Sequence, residues 1–172
     1  MQASDGAIKL AQDLAVGDDS SWHIDVYQSG GLVDFAKRLA ALTSQAHDQQ
    51  EEACYATATI LMAAAALEAL LAEFAYITDR TKYTNEFRKA GVSKKYQLLT
   101  SNELAVAHPP VAELWEHRIA IGHSEPDNAR SRFYGTRVNR AGASWACSTL
   151  EDFARQLWGA RMPDWLRKDG GL

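Results

Sequence analysis

The sequence contains very little cysteine. Its two cysteines, Cys54 and Cys147, stand far apart in 172 residues and show no Cys-x-x-Cys spacing. This pattern argues against a disulfide scaffold and against a zinc site built from cysteines. Reduced thiols that fill a core are the better interpretation, and they fit a cytoplasmic protein.

Long hydrophobic runs are missing as well. The longest uncharged apolar stretch, residues 53–67, is shorter than the roughly 18 to 20 residues that span a bilayer, and two threonines interrupt it. Residues 1–10 show no basic segment followed by an apolar one, so nothing marks them for secretion. We expect a soluble, cytoplasmic protein with no membrane partner.

The sequence also lacks an excess of positive charge. The formal net charge of −4 argues against a protein that coats nucleic acid non-specifically, because that mode of binding neutralises many phosphates. A local basic cleft remains compatible with this charge. With 172 residues and 47% hydrophobic composition, the chain is long enough for one domain with a sizeable core, so we treat residues 1–172 as a single domain.

Helical spacing of apolar residues dominates residues 31–126, which we predict to be the core bundle. The first predicted helix has an inward face of Leu32, Phe35, Ala36, Leu39 and Leu42. Residues 50–78 contain no Gly or Pro and are rich in Ala and Leu, which predicts the longest helix. Gly91 predicts a break between two short helices. Pro110 suits the first turn of a further helix, which we expect to end at Gly122.

The flanking segments carry weaker patterns. Residues 1–30 are predicted to form an N-terminal arm, with a short extended segment at 23–27. Two β-compatible runs, 132–138 and 143–147, flank a turn-like tetrapeptide and predict a hairpin over 130–147. Ser148 and Glu151 match a capping box that would open a C-terminal helix over 148–162. The predicted fold is an all-α bundle with a small β-hairpin insertion before the C-terminal helix.

Two segments carry a family resemblance. Residues 66–73 read ALEALLAE, and residues 114–126 read LWEHRIAIGHSEP, with Arg118 followed by His123. They resemble the two signature helices of HEPN domains (higher eukaryotes and prokaryotes nucleotide-binding), in which an Arg precedes a His by four to six residues. The resemblance covers roughly Leu32 to Pro126, together with the last helix, and implies a HEPN-like helical bundle.

Many members of that family are metal-independent ribonucleases that act as dimers, with the Arg and His of both subunits in one cleft. The resemblance therefore makes Arg118 and His123 the catalytic candidates and implies neither a metal nor another cofactor. A histidine can transfer protons near neutral pH, and a guanidinium can stabilise charge on a phosphate. On a continuous helix the two residues would be about 500° apart, so a helix end at Gly122 is needed to bring His123 back beside Arg118.

Other residues are candidates for supporting roles, each with a structural alternative. Glu68 either pairs with Arg118 and orients it or faces solvent at a helix edge. His117 either assists in the same cleft or points to another helix face. Four further arginines form either a phosphate-binding rim or a solvated hairpin surface: Arg130, Arg132, Arg137 and Arg140. Arg118 and His123 themselves could simply be cations that stabilise the negative end of a helix.

Three functions follow from these patterns. The leading hypothesis is a homodimeric HEPN-type endoribonuclease that acts on single-stranded RNA, of a bacterial toxin–antitoxin or phage-defence kind, with an antitoxin or a nucleotidyltransferase as its partner in a toxin pair. The alternative is a catalytically inactive HEPN module for nucleotide or RNA binding or for dimerisation, because Ile119 stands where catalytic members usually carry a polar residue. The third is a structural helical dimer that uses the Ala-rich helix as its interface.

Overall fold

The computed structural model describes residues 28–122 and 137–169, and both ranges are built from helices and their connections without a strand. The helices are α1 (Ser29–Gln45), α2 (Gln49–Thr78), α3 (Asn85–Lys89), α4 (Val92–Thr100), α5 (Leu104–Ala107), α6 (Pro109–Gly122), α7 (Arg140–Trp158) and α8 (Asp164–Asp169). Two 3₁₀ turns cover Arg80–Lys82 and Gly159–Arg161. The all-α class is confirmed in this part of the chain.

α2 is the longest helix and lies at the centre of the bundle, as its lack of breakers predicted. Its start is fixed by a reciprocal cap: Asp48 Oδ1 accepts a hydrogen bond from the Glu51 backbone N–H at 2.7 Å, and the His47 N–H donates to Glu51 Oε2 at 2.8 Å. Its alanines and leucines form most of one buried surface, including Ala63, Ala66, Leu67, Leu70 and Leu71.

α2 also has membrane-like composition. Among the described residues it is the one helix long and apolar enough to cross a bilayer, with a mean hydropathy of 1.8 in its most apolar window. Half of that window is buried inside the fold.

α1 packs on α2 with a face that is rotated from the predicted one and shares Ala36 and Leu39 with it. Phe35 and Leu42 were expected inside, yet they are 50% and 41% exposed. The buried stripe runs instead through Ser29, Gly30, Val33, Ala36, Leu39 and Thr43. Small side chains at the contact let α1 approach the Ala-rich surface of α2 closely, and this favours a rotation that leaves the bulkier residues outside.

The N-terminus of α1 is capped by a residue of α2. Glu73 Oε1 accepts hydrogen bonds from the backbone N–H groups of Gln28 and Ser29 at 2.7 and 2.9 Å, and Glu73 Oε2 accepts one from Ser29 Oγ at 2.5 Å. A carboxylate at this position satisfies N–H groups that the helix itself leaves unpaired. Burial nevertheless raises the pKa of Glu73, and the bonds from Ser29 and Gln28 only partly oppose it.

The segment between α2 and α6 is a series of short helices, as Gly91 predicted. Gly91 is the N-cap of α4, and α3 ends at Lys89 just before it. Phe87, Val92 and Tyr96 are buried against the bundle. Both short helices, on either side of the break, therefore contribute apolar residues to the core.

The predicted hairpin is wrong in its second strand. Residues 143–147 lie inside α7, which begins at Arg140, and Ser148 is a mid-helix residue whose Oγ bonds the Trp145 carbonyl at 3.0 Å. Glu151 does not cap a helix, since it pairs with Lys37 at 2.9 Å. Of the first strand, residues 132–136 lie outside the described ranges, as do residues 1–27 of the arm predicted over 1–30. The end of that arm is wrong, because Ser29 and Gly30 belong to α1.

Asn139 and Gly142 explain the error. Asn139 is the N-cap of α7, and its side chain accepts a hydrogen bond from the Gly142 N–H at 2.9 Å. Gly142 is required because a Cβ there would lie 1.8 Å from the Arg137 carbonyl oxygen. The same residue types favour turns and helix caps, so their chemistry alone did not distinguish a hairpin from a helix start.

The C-terminal end is also different in detail. α7 ends at Trp158 and is followed by the 3₁₀ turn, whereas the sequence predicted one helix up to residue 162. After Pro163, α8 adds Leu166 to the core. The buried residues of α7, among them Ala143, Ala146, Leu150, Phe153 and Ala154, follow steps of three and four from its first turn.

Candidate functional site

α6 carries the candidate residue Arg118. The helix starts at Pro109 in the place predicted from its two prolines, and its buried residues are Val111, Leu114, His117 and Ala120. These four buried residues are spaced three positions apart and form the inward-facing side of the helix. Arg118 and Ile119 lie at the edge of that side and are half-buried. The site residue is therefore held by a helix whose other side is anchored in the core.

The guanidinium of Arg118 stacks on a tryptophan. Its central carbon lies 4.8 Å from the centre of the Trp115 ring. Trp115 is one turn closer to the start of α6, so the cation is drawn away from the carbonyl groups at the helix end. This position does not fit the interpretation in which Arg118 merely stabilises the negative end of the helix.

Arg118 has no carboxylate within ion-pair distance among the residues that the structure describes. Stacking occupies the face of a guanidinium and leaves its N–H donors, which lie in its plane, available for an anion. A phosphate could therefore be bound at Arg118 without first breaking an ion pair with any carboxylate of residues 28–122 or 137–169.

His123 lies outside the described residues, as do Arg130 and Arg132. The described part of α6 extends to Gly122, the residue at which the sequence predicted the helix to end. The return of His123 to Arg118 therefore stays a prediction.

His117 is fully buried. Its ring meets Trp145 edge-on, with ring centres 5.6 Å apart, and its Nε2 lies 3.9 Å from Glu113 Oε1. Burial lowers the pKa of His117; Arg137 acts in the same direction and Glu113 opposes both. This residue packs in the core and does not reach a solvent-open cleft in the described structure.

Glu68 pairs with a residue that the sequence analysis did not consider. Its Oε1 lies 2.5 Å from Lys95 Nζ, and the Lys95 side chain is only 5% exposed. A buried ammonium needs such a partner, because desolvation without one is costly. Glu68 therefore joins α4 to α2, and Arg118 is not its partner in this structure.

Arg137 and Arg140 hold the start of α7. Arg137 donates to Glu113 Oε1 at 2.7 Å, and its guanidinium lies 4.3 Å from the centre of the Trp145 ring. The Arg140 N–H donates to Glu52 at 2.8 Å, while its guanidinium is 4.0 Å from the same carboxylate and 54% exposed. Arg137 is thus engaged in a structural contact, and Arg140 is the more accessible of the two cations.

Sequence reasoning missed Glu113 and Trp145, which connect His117 to Arg137. The i, i+4 spacing of Glu113 and His117 was visible in the sequence. The contact between Glu113 and Arg137 was not visible, because no local sequence pattern relates two residues that are 24 positions apart. The prediction of a hairpin also placed Trp145 on a strand, away from α6.

A shallow groove of about 290 Å³ lies between α1 and α7 and includes no residue of α6. Its lining includes Cys147, whose pKa is raised to about 11, chiefly by burial, so the thiol is a poor nucleophile at neutral pH. In the described ranges no group of three or more His, Cys, Asp or Glu side chains could hold a metal ion. The groove offers no chemistry that competes with Arg118.

No protein-family model matches this chain, and no curated protein or solved structure matches it either. The HEPN resemblance therefore remains an expectation from the sequence.

Proposed function

We propose that this chain is a HEPN-type, metal-independent endoribonuclease in which Arg118 binds the scissile phosphate and His123 transfers protons. We further propose that it acts as a homodimer on single-stranded RNA, in a toxin–antitoxin or defence setting. The observation that supports the proposal is the position of Arg118: half-exposed, stacked on Trp115 and without a carboxylate partner among the described residues.

The proposed reaction needs no group beyond the RNA and these two residues. The 2′-oxygen of a ribose attacks the adjacent phosphorus and loses its proton to a neutral histidine. The bond from phosphorus to the 5′-oxygen breaks, and that oxygen takes up the proton from the histidinium, which returns to the neutral form. The products are a 2′,3′-cyclic phosphate and a 5′-hydroxyl. Arg118 would stabilise the charge that develops on the non-bridging oxygens.

A catalytically inactive RNA-binding module is the second candidate, and Ile119 favours it. This side chain is apolar and half-buried beside Arg118. No polar group at position 119 can therefore hydrogen-bond the guanidinium or the substrate. In an inactive RNA-binding module, Arg118 still binds a phosphate of the RNA, but the bond from phosphorus to the 5′-oxygen is not broken.

Cleavage of mixed single-stranded RNA in EDTA tests the first candidate. The proteins are wild type, Arg118→Ala, His123→Ala and the control Arg161→Ala, which removes an exposed arginine from the second 3₁₀ turn. Each site variant should lose about 10²- to 10⁴-fold in rate, because one loses charge stabilisation and the other proton transfer. The control should cleave like wild type.

Binding to a 2′-O-methyl RNA, which cannot be cleaved by this route, separates the two candidates. Under both, Arg118→Ala weakens binding and the Arg161→Ala control does not. Cleavage by wild type that vanishes in His123→Ala supports the nuclease. Equal background cleavage by all four proteins, with binding that still depends on Arg118, would leave the binding module. Binding that is unaffected by Arg118→Ala contradicts both.

A further inference from the structure

The segment from Asp79 to Lys95, here called the basic connector, is strongly positive. It contains six basic side chains against two acidic ones, a formal charge of +4 in a chain whose total is −4. The remaining residues therefore carry −8. Such a separation of charge creates a local positive potential that the net charge conceals.

The elements of the basic connector pack as one unit on α2. Tyr83 contacts both Tyr76 of α2 and Phe87 of α3, with ring centres 5.5 and 5.8 Å apart. Lys82 Nζ donates to the Leu99 carbonyl at the end of α4 at 2.8 Å. The 3₁₀ turn, α3 and α4 are thus fixed relative to one another.

Packing on α2 decides which side chains face outward. Phe87 and Val92 are fully buried. Five basic residues of the connector are exposed: Arg80, Lys82, Arg88, Lys89 and Lys94. The connector therefore turns its apolar residues and Lys95 inward and presents Arg88, Lys89 and Lys94 to solvent.

These outer cations are not neutralised within the described structure. Lys95 is the connector cation that pairs with a carboxylate, Glu68. Asp79 is engaged by Thr81, whose hydroxyl and N–H bond it at 2.5 and 3.2 Å and hold the pKa of Asp79 low. In the described ranges no carboxylate lies within ion-pair distance of Arg88, Lys89 or Lys94.

We infer that the basic connector binds the phosphate backbone of single-stranded RNA. The inference rests on the proposed function and adds a second contact surface to it, separate from Arg118. Exposed cations that are not neutralised by a carboxylate bind a polyanion and release its counterions, whatever its base sequence. An anionic bilayer is the less favoured ligand, because an interfacial helix also inserts an apolar face and the apolar residues of this segment are buried.

The test compares two double variants with the same change of charge. Arg88→Gln/Lys89→Gln removes two exposed cations of the connector, and Arg161→Gln/Arg167→Gln removes two exposed cations from the C-terminal region. Affinity for a 2′-O-methyl single-stranded RNA is measured by fluorescence anisotropy over a series of salt concentrations. Circular dichroism verifies that both variants fold.

The logarithm of the affinity falls as the logarithm of the salt concentration rises. We expect the connector variant to make this slope shallower by about 1.4, because each lost contact with single-stranded RNA removes about 0.7 from its magnitude. The control should keep the wild-type slope. Equal effects of the two double variants, or no RNA binding by wild type, would overturn the inference. So would connector-dependent binding to phosphatidylserine vesicles together with unchanged binding to RNA.

The same data separate this inference from the proposed function. Absence of cleavage by wild type, with RNA binding that still depends on the connector, removes the nuclease and keeps the connector. Cleavage that depends on Arg118, with RNA binding equal in the two double variants, keeps the nuclease and removes the connector.

Discussion

His117 and Arg118 are neighbours in sequence, yet one is fully buried and the other is half-exposed over Trp115. Successive residues of a helix point about 100° apart, so this contrast is ordinary helix geometry. The sequence could not decide it, because steps of three or four from Leu114 lead equally to residue 117 or 118. Only packing against Trp145 shows that His117 is the inward residue.

Burial of His117 predicts a dependence of stability on pH. Its pKa is lowered in the folded state, so the folded protein binds fewer protons than the unfolded chain, whose histidine titrates near 6.5. The free energy of unfolding should therefore decrease as the pH falls from about 7.5 through about 6.5, and the loss is complete below the folded pKa. His108, whose pKa is also lowered by burial, acts in the same direction.

Urea unfolding at about pH 7.5 and about pH 5.5 measures the effect. His117→Gln keeps a polar side chain but cannot be protonated, so its stability should change less between the two pH values than that of wild type. The absolute stability of the variant does not enter this comparison. Equal pH dependence in the two proteins would contradict the assigned cause.

Among the helices, those with the clearest local sequence pattern were predicted correctly. α2 was predicted because 29 residues without a helix breaker leave little alternative, and α6 because Pro110 suits a first turn. α7 was missed because Asn139 and Gly142 suggested a turn, although its buried residues repeat at helical steps from Ala143 onward. The rotation of α1 depended on the shape of its neighbour, which no local pattern contains.

Gly142→Ala tests the start of α7. The added Cβ would lie 1.8 Å from the Arg137 carbonyl oxygen, so the backbone has to move. We expect a loss of about 1 to 3 kcal/mol in the free energy of unfolding, measured with urea. The shift would also disturb the contact of Arg137 with Glu113.

Gly31→Ala is the matched control, since this exposed glycine of α1 has no atom within 4 Å of an added Cβ. It should be neutral or should stabilise the helix by up to about 0.5 to 1 kcal/mol. Equal stability of the two variants would show that the approach of Arg137 to Gly142 is not what fixes the start of α7.

At the scale of the molecule, the surfaces available for assembly differ from those that the sequence suggested. Much of the Ala-rich surface of α2 is buried within the chain itself, including Ala56, Ala63, Ala64, Ala66 and Ala75. These alanines therefore serve packing against α1 and α7. The homodimer remains a prediction from the family resemblance, with Arg118 near its two-fold axis.

A spin label placed at Gly122 tests that dimer. Cys54 is exposed, so the prediction that the thiols fill the core is wrong for this residue. Gly122→Cys, combined with Cys54→Ser to remove that thiol, places the label where an added Cβ meets no described atom within 4 Å. Light scattering at micromolar concentration should give the mass of a dimer. The distance between the two labels of the dimer should be shorter when they are attached at residue 122 than when they are attached at residue 89. A strict monomer, or a longer distance at Gly122 than at Lys89, would contradict the expected interface.

Arg118 is proposed to bind a phosphate that the adjacent 2′-hydroxyl attacks. The most direct measurement of this role is analysis of the RNA ends formed by wild type in EDTA from a defined single-stranded RNA, beside the same RNA with 2′-deoxyribose throughout. We expect 2′,3′-cyclic phosphate ends from the first RNA, none from the second, and none above background from Arg118→Ala. Intact RNA with wild type, or cleavage of the deoxy substrate, would contradict it.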